Sequence, residues 1–278
     1  MSGFGPTMPT FTELEEGLRR LVAPNPSMMT GPGTNTYLIG INEVAVLDPG
    51  PVIESHLAAI IDKAGAPIRL ILVTHTHPDH SPGAIELAEM TGARLLGRPP
   101  PYGQHQDNTF KPDRVLEDGD VVSIDGIDIE TIRTPGHASN HVCYLHRDLN
   151  WLFTGDHVID GSTVVIDPPD GDMSDYLASL AKVKRLRAAA LAPGHGELID
   201  DPDRAVNWIV DHRLQREAKV LDGLHANPGL TSMELVAHVY RDVDSRLYGW
   251  AERSLLAHLL KLQNDGVASC TEGQWFEV

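Results

Sequence analysis

Leu70-Ile71-Leu72-Val73-Thr74-His75-Thr76-His77-Pro78-Asp79-His80 decides the reading of this chain. The apolar run up to Thr74 is short enough to be a strand buried on both faces, and the histidines begin where it stops. On extended backbone, residues two apart face the same side about 6.6 Å apart, so His75 and His77 can converge on one ion. Pro78 discourages helix at His77 and turns the chain, which lets Asp79 and His80 aim elsewhere. One hexapeptide therefore offers two half-sites.

The same alternation of strand and helix extends outward from this stretch. Thr36 to Leu47 alternates loosely and ends in Asp48-Pro49-Gly50, a strand running into a turn. Leu57, Ile60, Ile61 and Ala64 recur at helical spacing, with Gly65 as C-terminal cap and Pro67 beyond it. Val121–Ile124 and Ile127–Ile132 flank Asp125-Gly126, a tight-hairpin sequence. His141–Leu145 and Trp151–Thr154 form another strand pair. Leu177, Leu180, Val183 and Leu186 trace a helix, and Ala189–Ala192 runs into Pro193-Gly194-His195-Gly196 as a last strand and turn. Two successive mixed halves fit a layered α/β sandwich over residues 1–200.

Beyond Asp200 the pattern is helical, so residues 201–278 read as a second, smaller domain. Asp201 caps a helix with Pro202 in its first turn and an apolar side of Trp208, Ile209, Val220, Leu221 and Leu224. Thr231 with Glu234 is a capping box. Leu255, Leu256, Leu259, Leu260 and Leu262 belong to a third helix closed by Gly266. Two short strands across Glu272-Gly273 complete the order of a winged-helix module.

The remaining ligands should come from other strand ends. Thr134-Pro135-Gly136-His137, Phe153-Thr154-Gly155-Asp156 and Pro193-Gly194-His195-Gly196 each place one metal-binding side chain on a Gly-containing turn. With the hexapeptide's four, this makes seven ligands, enough for two metals if one carboxylate bridges. His75, His77 and His137 are assigned to the first ion, Asp79, His80 and His195 to the second, and Asp156 to both. Two cysteines, Cys143 and Cys270, cannot build a cysteine zinc site, and nitrogen and oxygen donors suit two zinc ions, with manganese or iron as alternatives. His141 is expected behind the ligands or against substrate, with plain strand packing as the equal alternative. His105, His146, His225, His238 and His258 are expected at the surface, and His157 is expected to point away from the metals.

The motifs THTHPDH, TPGH, TGD and PGHG resemble the metallo-β-lactamase superfamily over roughly residues 30 to 200. The resemblance implies an α+β, four-layer αβ/βα sandwich with a dinuclear zinc centre on the seven matching residues, and it makes Asp48 a support for the ligands. Residues 25–37, His212-Arg213 with Arg216-Glu217, and the terminal helices are similar to the β-lactamase-like protein 2 family. That family is similar in part to hydroxyacylglutathione hydrolases and includes an endoribonuclease. A metal-bridging hydroxide is the expected nucleophile, with Asp79 orienting it and taking its proton.

Charge narrows the substrate. The 278 residues carry 39 acids against 22 bases, a net charge of −17, and a normal globular composition with 41% hydrophobic residues. Such a surface opposes non-specific attraction to nucleic acid or anionic lipid. Residues 207–278 hold seven bases against ten acids, so the winged-helix pattern alone does not imply nucleic-acid binding. Its expected job is to wall the active-site cleft or support a homodimer. The basic cluster Lys182, Lys184, Arg185 and Arg187 reads as a solvated face. No apolar run approaches the roughly 20 residues that span a bilayer, and Met1–Phe11 has no export-signal pattern, so a cytoplasmic protein acting on a small molecule is expected. Hydrolysis of a thioester, ester or lactone is the leading reading. Cleavage of single-stranded RNA is the alternative, disfavoured by charge, and a non-catalytic metal-binding regulator is a third. Met28–Asn35 and Asp160–Asp175 are expected to rim the cleft.

Overall fold

The computed structural model describes residues 9–278 apart from Gln104 and Asp242, so most of the Met1–Phe11 reading lies outside the described residues. One sheet holds seven strands in chain order: β1 (Thr10–Glu15), β2 (Leu18–Val22), β3 (Asn35–Ile39), β4 (Val44–Leu47), β5 (Ile68–Leu72), β6 (Arg94–Gly97) and β7 (Arg114–Val115). The first four pair antiparallel and the rest parallel. α1 (Glu54–Ala64) and α2 (Gly83–Thr91) make the crossovers from β4 to β5 and from β5 to β6. A second sheet has β8 (Val121–Ile124), β9 (Ile127–Arg133), β10 (Val142–His146), β11 (Trp151–Gly155) and β12 (Ala190–Pro193), with α3 (Met173–Leu186) between the last two.

Period-two side-chain alternation turns these sheets into four layers. Tyr37, Ile39, Ala45, Leu47, Leu70 and Leu72 face inward and meet Val142, Tyr144, Phe153 and Ala192 of the other sheet. Their neighbours Leu38, Val44, Val46 and Ile71 face outward onto Leu57 and Ile60 of α1 and Leu87 of α2. On the far side Cys143, Leu152 and Leu191 pack on Tyr176, Leu180 and Val183 of α3. The result is the αβ/βα sandwich expected from the motifs. Tyr37 and Phe153 meet in a tilted ring contact across its centre at 4.9 Å, so Phe153→Ala removes contacts from both sheets and costs about 3–5 kcal/mol.

α4 (Pro202–Ala226) starts at the Asp201 cap and joins two cores. Its Val206 and Ile209 pack beneath the second sheet, while Val220 and Leu224 enter a separate core with α5 (Ser232–Val239) and α6 (Tyr248–Asn264). The Thr231–Glu234 capping box is formed, and β13 (Ala268–Thr271) pairs with β14 (Gln274–Glu277) across the turn. Among the described residues no helix is long and apolar enough to cross a membrane.

Several details differ from the sequence reading. Thr36–Leu47 is a hairpin rather than one strand. Gly40 at φ +110° breaks it, where a Cβ would lie 2.1 Å from the Glu43 carbonyl oxygen. Trp208 sits 49% exposed on the outer side of α4. His146 and His258 are buried, not at the surface: His146 closes β10, and His258 lies at the α4–α6 contact beside Glu217.

Candidate metal centre

Both sheets end along one edge, and the seven donors sit on the turns there. β5 continues into Thr74-His75, β9 into the Thr134–His137 turn, β11 into Asp156 and β12 into His195. Close approach requires glycine at three of these turns, and a Cβ on Gly136 would lie 2.3 Å from the Tyr176 backbone. A Cβ on Gly155 would lie 2.6 Å from Thr74 Oγ1, and one on Gly194 would lie 2.8 Å from the His80 ring and 2.9 Å from Asp156. The packing that brings the strand ends together therefore leaves space only for donor atoms.

The donors form two groups whose ligand atoms lie within 4.8 Å of one another: His75, His77 and His137; and Asp79, His80, Asp156 and His195. In the first, His77 Nδ1 lies 3.0 Å from both His75 Nε2 and His137 Nε2. One nitrogen carries at most one proton, so three such atoms cannot satisfy one another in pairs. In the second, Asp156 Oδ1 lies 3.3 Å from His80 Nε2 and 3.3 Å from His195 Nε2, and Asp79 Oδ2 lies 3.2 Å from His195 Nε2. The other Asp156 oxygen, Oδ2, lies 3.6 Å from His137 Nε2 and so faces the first group. His80 Nε2, His195 Nε2 and Asp156 Oδ1 are buried with no aligned hydrogen-bond partner, although they stand at ion-pair distance. Lone pairs aimed at shared points rather than at each other fit cations, and imidazole with carboxylate is a transition-metal donor set.

Supporting contacts fix the ring tautomers. Thr74 Oγ1 donates to Asp48 Oδ2 at 2.7 Å and accepts from His75 Nδ1 at 3.0 Å. His80 Nδ1 donates to Asp48 at 3.0 Å, His137 Nδ1 to the Val165 carbonyl at 2.6 Å, and His195 Nδ1 to the Gly33 carbonyl at 3.1 Å. Four histidines thereby present an Nε2 lone pair to the site, the usual outer-shell arrangement of metal histidines. Asp48 also accepts the Thr74 backbone N–H at 2.7 Å, so it braces both groups from behind. His141 is buried with its ring 5.0 Å from that of His75 and its Nδ1 bonded to Thr134 at 2.8 Å, behind the donors and outside the lining of the cleft. His157 turns away from the ligands toward Tyr176, at 5.1 Å.

Electrostatics separates the groups in the metal-free protein. Burial holds His75 well below the ordinary histidine range and His77 at about 3, helped by neighbouring imidazoles. Burial opposes charge on His80 and His195 too, but the Asp79 and Asp156 carboxylates outweigh it, raising His80 well above its usual value and His195 to about 10. Burial in turn raises the carboxyls, and the two imidazoliums overcome it, holding Asp79 below and Asp156 well below the usual carboxylate range. Positive charge is thus already held where a cation fits.

A cavity of about 310 Å³ opens over Asp79, His77, His137 and Asp156, with Met29, Gln106, Val165 and Asp170 in its walls. A second recess reaches His195 between Met28–Pro32 and Asp160–Val165, so both expected loops rim the cleft. Sequence reasoning gave no sign of two wall residues from α6. Trp250 is 51% exposed beside the cavity, and Arg253 lies 5.0 Å over its ring while pairing with Asp167 at 2.8 Å. Position 253 is 86 residues from its partner, and no local pattern announces such a pairing.

Comparison with known proteins agrees with this geometry. Residues 29–195 match the metallo-beta-lactamase superfamily, and residues 231–275 match the beta-lactamase associated winged helix domain. A Beta-lactamase-like protein 2 homolog from Caenorhabditis elegans is 31% identical, over 94% of this chain and 90% of that protein. An Atrochrysone carboxyl ACP thioesterase from Aspergillus fumigatus is 28% identical, over 92% of this chain and 85% of that protein. The fold superposes on a beta-lactamase domain protein from Burkholderia ambifaria with a TM-score of 0.82 at 22% identity, covering 96% of this chain and 93% of that one. Fold, donor cluster and family match agree, and the chain belongs to the metallo-beta-lactamase superfamily of hydrolases.

Proposed function

We propose that this protein hydrolyses a thioester, ester or lactone of a small metabolite through a dinuclear zinc centre. His75, His77 and His137 would hold one ion and Asp79, His80 and His195 the other, with Asp156 shared between them. The observation that carries the reading is Asp156, which turns one oxygen to each donor group. When bound, the metal pair supplies a water acidified toward neutral pH and polarises the acyl oxygen.

The chain's own residues orient and exclude. Asp79 is the least buried of the second group's donors and faces the cavity, and in this reading it would orient the attacking water and accept its proton. Met29, Val165 and Trp250 give the acyl group an apolar wall. Besides the donors the cavity holds Asp170 and the paired Arg253 and Asp167, so the charge its walls add to the metal site is negative. That charge favours a neutral acyl group over a polyphosphate backbone, and a thioesterase among the relatives supports the same class.

Purified protein is tested by metal analysis with a panel of acyl thioesters, esters, lactones and unstructured RNA on the same sample, beside Asp79→Ala. Chelator-sensitive acyl turnover lost in the variant supports the reading. No acyl turnover, or metal-dependent RNA cleavage lost in the variant, overturns it.

A further inference from the structure

His137 Nε2 lies 3.6 Å from Asp156 of the other group, and its ring is oriented by a carbonyl on an irregular segment. Val165 lies in the stretch between β11 and α3, and its carbonyl accepts the His137 Nδ1–H at 2.6 Å. Two arginines from the C-terminal helices grip that stretch on either side of Val165. Arg213 of α4, buried beneath the second sheet, donates through Nη2 to the Val164 carbonyl and lies 5.5 Å over the Tyr176 ring. Arg253 of α6 donates through Nη1 to Asp167 Oδ2 at 2.8 Å.

The same stretch is tied back to the turn that carries His137. The Asp172 N–H donates to the Gly136 carbonyl at 2.8 Å, and Ser139 N–H donates to Asp170 Oδ1 at 3.3 Å. Its position is therefore set by the His137 turn on one side and by α4 and α6 on the other. A carbonyl held between two guanidinium anchors cannot drift from the imidazole it orients, and planar, multi-donor arginine is suited to such fixing.

We infer that Arg213 and Arg253 are positioning residues for the metal ligand His137. Through the Val164–Asp167 segment the C-terminal helices set the cation affinity of the group His75, His77 and His137. This goes beyond walling the cleft: the appended helices tune one of the two ion sites. The inference rests on the reading of His137 as a ligand. Losing the direct outer-shell partner of a metal ligand weakens binding about 10–100-fold, and the arginines act one contact behind the Val165 carbonyl, at the lower end of that range.

The test measures both zinc dissociation constants by chelator competition on the full chain, with the thermal midpoint of the metal-free protein alongside. Arg213→Met and Arg253→Met should each weaken one ion about 10-fold or more, leave the other within about threefold, and add nothing in a His137→Ala background. Arg246→Met, which breaks only an exposed local pair with Asp244, should change neither constant. If Arg213→Met does not fold, Arg253→Met and Asp167→Asn, at part-exposed positions, carry the test. Equal weakening of both ions, unchanged constants, or full additivity with His137→Ala overturns the inference while the wild type still binds zinc. A wild type that binds no zinc overturns the metal reading itself, and this inference with it.

Discussion

The two donor groups share an edge of the sandwich and a bridging-type carboxylate, yet their electrostatics are opposite. His75, His77 and His137 are imidazoles only, and burial keeps the first two of them neutral. Asp79, His80, Asp156 and His195 hold two carboxylates that keep protons on their histidines. The first group offers an ion lone pairs without net charge and the second offers charge. One fold edge thus presents two donor groups of different proton cost, with Asp156 at ion-pair distance from both.

Removing the shared group has the largest expected effect. Asp156→Ala should leave fewer than two zinc ions per chain by mass spectrometry and lower acyl-ester turnover by more than about 100-fold, the upper end of what losing a mere supporting partner costs. Full occupancy of both groups in this variant would show that they are independent. Asp48→Asn comes next. It retains an acceptor for Thr74 but can offer His80 an amide N–H where a carboxylate oxygen stood, so affinity should fall about 10–100-fold, chiefly at the second group. Chelator competition reads the difference, and a larger loss at the three-histidine group would reverse the assignment of what Asp48 chiefly supports.

Trp250→Ala touches neither group. Because the indole walls the cavity without contacting a donor, KM for a bulky aromatic thioester should rise several-fold while kcat, metal content and acetyl-thioester KM stay near wild type. A fall in metal content would mean that the tryptophan supports the donors as well as walling the cavity.

The donors were legible in sequence because each stands in a short local pattern at a strand end: His75 and His77 after Leu70–Val73, His137 and His195 on glycine turns. What lay beyond reach is nonlocal. The Val165 carbonyl that orients His137 carries no side-chain signal, and Arg253–Asp167 joins two domains across 86 positions. β1 and β2 were missed because β1, Thr-Phe-Thr-Glu-Leu-Glu, is an exposed edge strand with only weak apolar alternation. His258 looked like a surface residue on its helix, and only the docking of α6 on α4 buries it. Periodicity reports which face is apolar. It does not report which polar residue the neighbouring element will cover.

The smallest predicted effect separates the groups by the sign of their pH response in the metal-free protein. His77 is held at about 3 when folded against about 6.5 unfolded, so below pH 6.5 the unfolded chain binds more protons and stability is lost as pH falls toward 3. His195 is held at about 10, so the folded chain binds more protons between about 6.5 and 10; its contribution is complete below 6.5 and is lost as pH rises. Calorimetry with chelator present should therefore find a thermal midpoint highest near pH 6.5 and lower by a few degrees on either side. His77→Gln should flatten the acid limb and leave the alkaline one, and His195→Gln should do the reverse. If both substitutions flatten the same limb, the two groups titrate as one unit, and the electrostatic contrast between them is wrong.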